Sequence, residues 1–101
     1  HAAVAALRNT AENIRRLEDK ADYGVLGTTI EAAMTNSLLV DRLAFFVDEN
    51  PEKIGGAFLG KPVVHPRDVD PKFTVLLPYG DAAAGILRRS DALYPGRYIV
   101  T

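Results

Sequence analysis

The stretch Tyr23-Gly24-Val25-Leu26-Gly27-Thr28-Thr29-Ile30-Glu31, continued by Leu43-Ala44-Phe45-Phe46-Val47-Asp48-Glu49-Asn50, decides how this chain is read. A short apolar run, a glycine turn, a helix start carrying two hydroxyls and a second apolar run ending in acid form the pattern of a βαβ unit. Thr28 or Thr29 is the expected N-cap. With Thr28 in that role, Glu31 falls at N3 and completes a capping box. Ile30, Ala33, Met34, Ser37 and Leu38 then face the sheet. Leu43–Val47 has no polar interruption, as expected of a strand covered on both faces. Such a unit brings backbone N–H groups and a carboxylate to one edge of a parallel sheet, where nucleotide-like ligands dock in these folds.

Upstream, Val4, Leu7, Ala11, Ile14, Leu17 and Ala21 recur at spacings of three and four. They predict an amphipathic helix over residues 1–22 that packs on the domain or links it to something else. Downstream, residues 50–56 read as a turn, and residues 58–64 look extended around a Gly-Lys-Pro bend. Pro66 and Pro71 leave room for only a turn of helix. Residues 73–77 predict a third strand closed by Pro78. Asp81 is a candidate cap for a helix through Leu87, with Gly85 an unfavourable residue inside it. Residues 97–100 predict a fourth strand. Alternating strands and helices argue for an α/β fold: a small, Rossmann-like three-layer sandwich over residues 23–101. Right-handed crossovers favour a mostly parallel, four-stranded sheet of order 2-1-3-4, with a crevice between strands one and three. His1 in place of methionine, and a strand-like end at Thr101, read as the ends of a domain cut from a longer chain.

Composition excludes more than it identifies. The chain has 101 residues, 48% of them hydrophobic and 25% charged, with a net charge of −1. That fits one globular domain, and no basic block suggests nucleic acid. Without cysteine there is neither a disulfide nor a thiolate metal site. No apolar run approaches the roughly 20 residues of a membrane helix, and a cytoplasmic location is the default expectation.

The candidate ligand-side residues are Gly27, Thr28, Thr29, Asp48, Asn50, Pro78 and Tyr79. Gly24-x-x-Gly27 departs from the dinucleotide fingerprint, although a hydroxyl-rich helix start still suits an anion. The competing reading is that Gly27 only turns the chain and Thr28 only caps the helix. Asp48 follows Gly27 by about 20 residues, the interval at which an acid meets a ribose hydroxyl; it could equally bond its own turn, together with Asn50. Tyr79 could stack on a base or pack under a loop. His65 has no partner suited to catalysis and reads as structural or solvent-facing. Arg88 and Arg89 suit the end of a helix. No catalytic residue and no metal ligand is assigned.

Several of these segments together resemble one known arrangement. Tyr23-Gly24-x-x-Gly27-Thr28-Thr29, Phe46-Val47-Asp48-Glu49-Asn50-Pro51-Glu52-Lys53-Ile54-Gly55, Leu59-Gly60-Lys61-Pro62-Val63 and Val75-Leu76-Leu77-Pro78-Tyr79 are similar to the C-terminal Rossmann-like domain of bacterial SAM-dependent methyltransferases acting on nucleotide-linked sugars. The Asp-x-Asn-Pro-x-Lys-x-Gly run is the most specific part. The family's Trp-Asn after Leu-Pro is Tyr79-Gly80 in this chain. The resemblance implies an accessory domain that helps hold a nucleotide-sugar and is not catalytic in isolation. Its partner would be an upstream catalytic domain of the same polypeptide that carries S-adenosylmethionine, with no cofactor in this domain and no nucleic acid or membrane involved. A looser likeness is to the N-terminal domain of sugar O-acyltransferases. The reading from a different class is a structural or interaction module without a small ligand.

Overall fold

A computed structural model describes residues 22–39 and 41–101. The helix expected over residues 1–22 lies outside the described residues, apart from the irregular Asp22. The elements are β1 (Tyr23–Leu26), α1 (Ile30–Leu38), β2 (Leu43–Val47), β3 (Ala57–Phe58), β4 (Lys61–Val64), β5 (Thr74–Leu77), α2 (Ala83–Leu93) and β6 (Arg97–Val100). Short 3-10 turns at Pro66–Asp68 and Gly80–Ala82 precede β5 and α2.

The fold is α/β, but the expected four-stranded sheet is corrected: among the described residues it is a mixed sheet of six strands, ordered β3-β4-β2-β1-β5-β6. The strands expected from sequence occupy four neighbouring positions. Beyond β2 lies β4, parallel to it through Phe46–Val63 and Val47–Val64, and an antiparallel β3 closes that edge. Residues 58–64 are largely extended around a bend, as expected, but Gly60 and Pro62 weaken a strand reading, so the expected sheet left these strands out. Pro62 is tolerated since it pairs only with two-residue β3 at the margin of the sheet.

Alternation along the strands builds two cores. Val25, Phe46 and Leu76 pack with Ala32 and Leu39 from the α1 side. Phe45, Val47, Val75, Leu77 and Tyr98 pack with Ala83, Ile86 and Leu87 of α2 on the other face. Burying side chains of this size contributes about 1.5–3 kcal/mol each. Leu43 shares a face with Phe46 only because the β1–β2 register shifts: Tyr23 opposes Leu43, whereas Gly24 opposes Phe45. The extra residue, Ala44, is exposed, as in a bulge.

Helix α1 decides between the two N-cap candidates and corrects the expected inward face. Its N-cap is Thr29, whose hydroxyl accepts from the Ala32 N–H at 3.2 Å. Glu31 is therefore at N2, and the capping box does not form. The inward residues are Ala32, Thr35 and Leu39, while Ile30, Met34 and Leu38 are exposed. Thr35 goes inside because its hydroxyl donates to the Glu31 carbonyl at 3.0 Å, which removes the cost of burying it. In α2, Asp81 does not cap: it sits within the 3-10 turn, and the helix starts on Ala83 without a side-chain cap bond.

Two glycines make opposite demands. A Cβ on Gly24 would fall within the Phe45 ring, which lies across β1, whereas a Cβ on Gly85 would meet only the Arg88 guanidinium, at 3.9 Å. Gly24→Ala is expected to lower stability by about 1–3 kcal/mol through overpacking, and Gly85→Ala to raise it by about 0.5–1 kcal/mol through helix propensity. Urea denaturation midpoints of the two variants should move in opposite directions.

Tyr98 makes a further test. Its hydroxyl is buried without a hydrogen-bond partner among the described residues, and burial pushes its pKa up to about 12. Tyr98→Phe removes an unpaired polar atom and keeps the ring, so denaturation should show stability unchanged or raised by about 1 kcal/mol.

Candidate functional site

The carboxyl ends of the strands gather the candidate residues, and their hydrogen bonds divide them into two groups. Gly27 turns the chain out of β1 with φ +93° and donates its N–H to the Val47 carbonyl at 2.6 Å. Tyr79, just past β5, points its hydroxyl into this turn. That hydroxyl donates to the Leu26 carbonyl and lies 3.1 Å from Thr29 Oγ1. The Thr29 oxygen accepts from Ala32 N–H and gives its own proton to Tyr79, which completes a consistent relay. A Cβ on Gly27 would strike the Tyr79 hydroxyl. The crevice expected to be open between β1 and β5 is thus filled by Tyr79, and Pro78 beneath it is buried. Burial raises the Tyr79 pKa, opposed by the bond to Thr29.

The second group is Thr28, Asp48 and Asn50. Thr28 Oγ1 donates to Asp48 Oδ2 at 3.3 Å. The other Asp48 oxygen accepts the Asn50 N–H at 2.9 Å, and Asn50 Oδ1 accepts the Glu52 N–H at 3.0 Å. Asp48 therefore bonds its own turn and also faces the start of α1. The chain then folds back, and Lys53 Nζ donates to Thr28 Oγ1 at 2.8 Å. Sequence reasoning missed Lys53 as a site residue. Nothing local to an exposed turn shows that its ammonium returns across 25 residues to the β1–α1 junction.

Thr28, Glu52 and Lys53 form the polar rim of a recess of about 320 Å³ whose wall includes Ala57, Phe58 and Val63. The hairpin is held in place there by three contacts. Phe58 meets Phe46 edge-on at 4.8 Å. Gly55 N–H bonds the Val63 carbonyl at 3.0 Å. Lys61 Nζ reaches Asn36 Oδ1 at 2.6 Å. The recess combines one ammonium, one hydroxyl, a carboxylate and an aromatic edge. That chemistry suits a small molecule with an anionic end and an apolar or ring-bearing body.

A separate polar cluster ties the β2 turn to α2. Arg89 holds both oxygens of Glu49, at 2.5 and 2.7 Å, and the Tyr94 hydroxyl donates to Glu49 Oε2. The expected helix-end role of Arg89 is replaced by this long-range pair. The hydrogen bond from Arg89, then that from Tyr94, lowers the Glu49 carboxyl from 4.5 to about 2. The same bond to Glu49 raises the Tyr94 pKa. His65 packs edge-on to Tyr94 at 5.7 Å, and its Nδ1 accepts the Arg67 N–H at 3.1 Å. The structural role read for His65 fits that placement. Among the described residues no group of acids and histidines could hold a metal ion, and no helix is long and apolar enough to cross a membrane.

No family model matches the chain, and no curated protein and no solved structure matches it.

Glu49 sets a pH signature. Its folded pKa is depressed, so its contribution to stability is complete above about 4.5 and is lost as pH falls toward about 2. Wild type should therefore be more stable than Glu49→Gln at pH 6, and the gap should close by pH 2. Denaturant midpoints measured for both proteins across that range check the sign.

Proposed function

We propose that this chain is a substrate-holding accessory domain of a group-transfer enzyme, of the kind found at the C-terminus of SAM-dependent methyltransferases that act on nucleotide-linked sugars. On this reading it is a Rossmann-like layered domain that does no bond-making itself. The methyl donor and the catalytic residues belong to another part of the same polypeptide. The observation that carries the proposal is Lys53 Nζ held 2.8 Å from Thr28 Oγ1 on the rim of the recess. This pairing presents a cation and a hydroxyl beside the N-terminus of α1, whose partial positive charge adds to theirs. A phosphate of the ligand would meet Lys53 and Thr28, and the sugar or base would lie along Phe58. The ligand position is therefore displaced from the β1–β5 crevice toward the β3–β4 hairpin.

A second reading has its own support. Tyr79 fills the crevice, Thr29 caps its own helix, and Asp48 and Asn50 bond their own turn. Polar groups engaged in this way describe a rigid interaction module that needs no small ligand.

NMR titration of the chain with UDP, dTDP and NAD separates the two. Binding to the accessory-domain site predicts shifts at Thr28, Lys53 and Phe58 with the diphosphates, abolished in Lys53→Ala and much smaller with the uncharged nucleosides. The absence of any shift at millimolar ligand would leave only the interaction module standing.

A further inference from the structure

Among the described residues the two edges of the sheet differ. β3 ends one edge with only two residues, paired antiparallel to a strand that carries Pro62. Short strands and prolines keep a sheet edge from pairing further. β6 ends the other edge. Its four residues, Arg97-Tyr98-Ile99-Val100, run in unbroken parallel register with β5 and include no proline. The one charge is at the start of the strand, and Tyr98, Ile99 and Val100 are all strong strand formers. The Thr101 N–H bonds the Leu77 carbonyl at 3.2 Å. Backbone polar groups alternate in direction along a strand, so Arg97, Ile99 and Thr101 aim theirs at β5, whereas Tyr98 and Val100 aim theirs away from it. No described strand pairs with that outer side, and Val100 is 44% exposed.

We infer that β6 pairs antiparallel with β6 of a second copy of this chain, about a two-fold axis through Ile99. A two-fold axis perpendicular to the sheet keeps each face on its own side, so paired residues share a face and the pairing centres on a residue. With the centre on Ile99, Tyr98 faces Val100 of the second copy and exchanges both N–H···O=C bonds with it, on each side of the axis. Every outward backbone group of the two residues is then paired. A centre on Tyr98 would set Val100 against Gly96 in the turn before the strand and lose that match. The Ile99 register also lays the exposed Val100 beside Tyr98 on the α2 face, and it holds the two Arg97 side chains at opposite ends, where like charges do not oppose each other. The edge is thus complementary to itself in backbone, side chain and charge, which favours a copy over an unrelated strand. The recess beside Phe58 lies at the other edge of the sheet, so both copies keep it.

One strand edge is a small interface of the transient kind, so the test extends to millimolar chain. Sedimentation equilibrium should show reversible exchange between monomer and dimer. A mixture of isotope-labelled and unlabelled chain should give a filtered NOE between the Ile99 Hα of one molecule and that of the other. In amide exchange, Tyr98 and Val100 should gain protection as concentration rises, while Ile99 and Thr101, bonded to β5, are protected throughout. Val100→Lys leaves the β5 bonds intact and should weaken the dimer by about tenfold or more, with an unchanged denaturation midpoint at low concentration. A monomer at every concentration, a dimer whose intermolecular contacts lie elsewhere, or a dimer indifferent to Val100→Lys would overturn the inference.

Discussion

The structure depends on Gly24 leaving room for the Phe45 ring. With no side chain at Gly24, that ring crosses the central strand and meets Phe73 edge-on at 5.3 Å. It thereby joins β2, β1 and the residue leading into β5 on the α2 face. Phe46, the next residue along the strand, alternates to the α1 face, where Phe58 of the hairpin packs on it. Two adjacent phenylalanines thus commit the two faces of the sheet. A one-residue slip would exchange them and bring Phe45 and Phe46 onto the wrong helices, so the register is strongly specified.

That register determines what the carboxyl edge can offer. Because Val25 opposes both Phe46 and Leu76, the chain leaves β1 and β5 at the same level, which brings Tyr79 against the Gly27 turn. Its half-buried hydroxyl needs partners, and Leu26 and Thr29 supply them. The position that an open α/β sheet usually keeps for a ligand is therefore used for internal hydrogen bonding. The recess lies further out, between the start of α1 at Thr28 and the β3–β4 hairpin.

Legibility in the sequence followed the range of each interaction. Strands β1, β2, β5 and β6 were readable because their apolar runs are uninterrupted and flanked by turn residues. The place of β4 in the sheet was not, because glycine and proline weaken the strand reading of an extended segment and its pairing with β2 is non-local. The inward face of α1 was misread for a related reason. Hydrophobicity selects Ile30, Met34 and Leu38, but the burial of Thr35 rests on a hydrogen bond to its own helix that no periodicity count includes. The candidate residues clustered on one edge, as the βαβ pattern implied. Their pairing did not follow from it, since Tyr79–Leu26, Lys53–Thr28 and Arg89–Glu49 each span dozens of residues.

The Asp-Glu-Asn-Pro-Glu-Lys-Ile-Gly run gains a physical meaning from this arrangement. Asp48 takes the Asn50 N–H, and Asn50 takes the Glu52 N–H, so two side chains replace the backbone partners that a sharp exit from a strand would lose. Pro51 presets the turn, and Gly55, at φ +88°, lets the chain re-enter pairing with Val63. Glu49 points the other way and is held by Arg89 and Tyr94. The combined effect is to bring one long cationic side chain, Lys53, back over the start of α1. A loop that used its acid directly on a ligand would need Asp48 free. In this one Asp48 shapes the turn and holds Thr28, which leaves the Lys53 ammonium and the Thr28 hydroxyl on the rim of the recess.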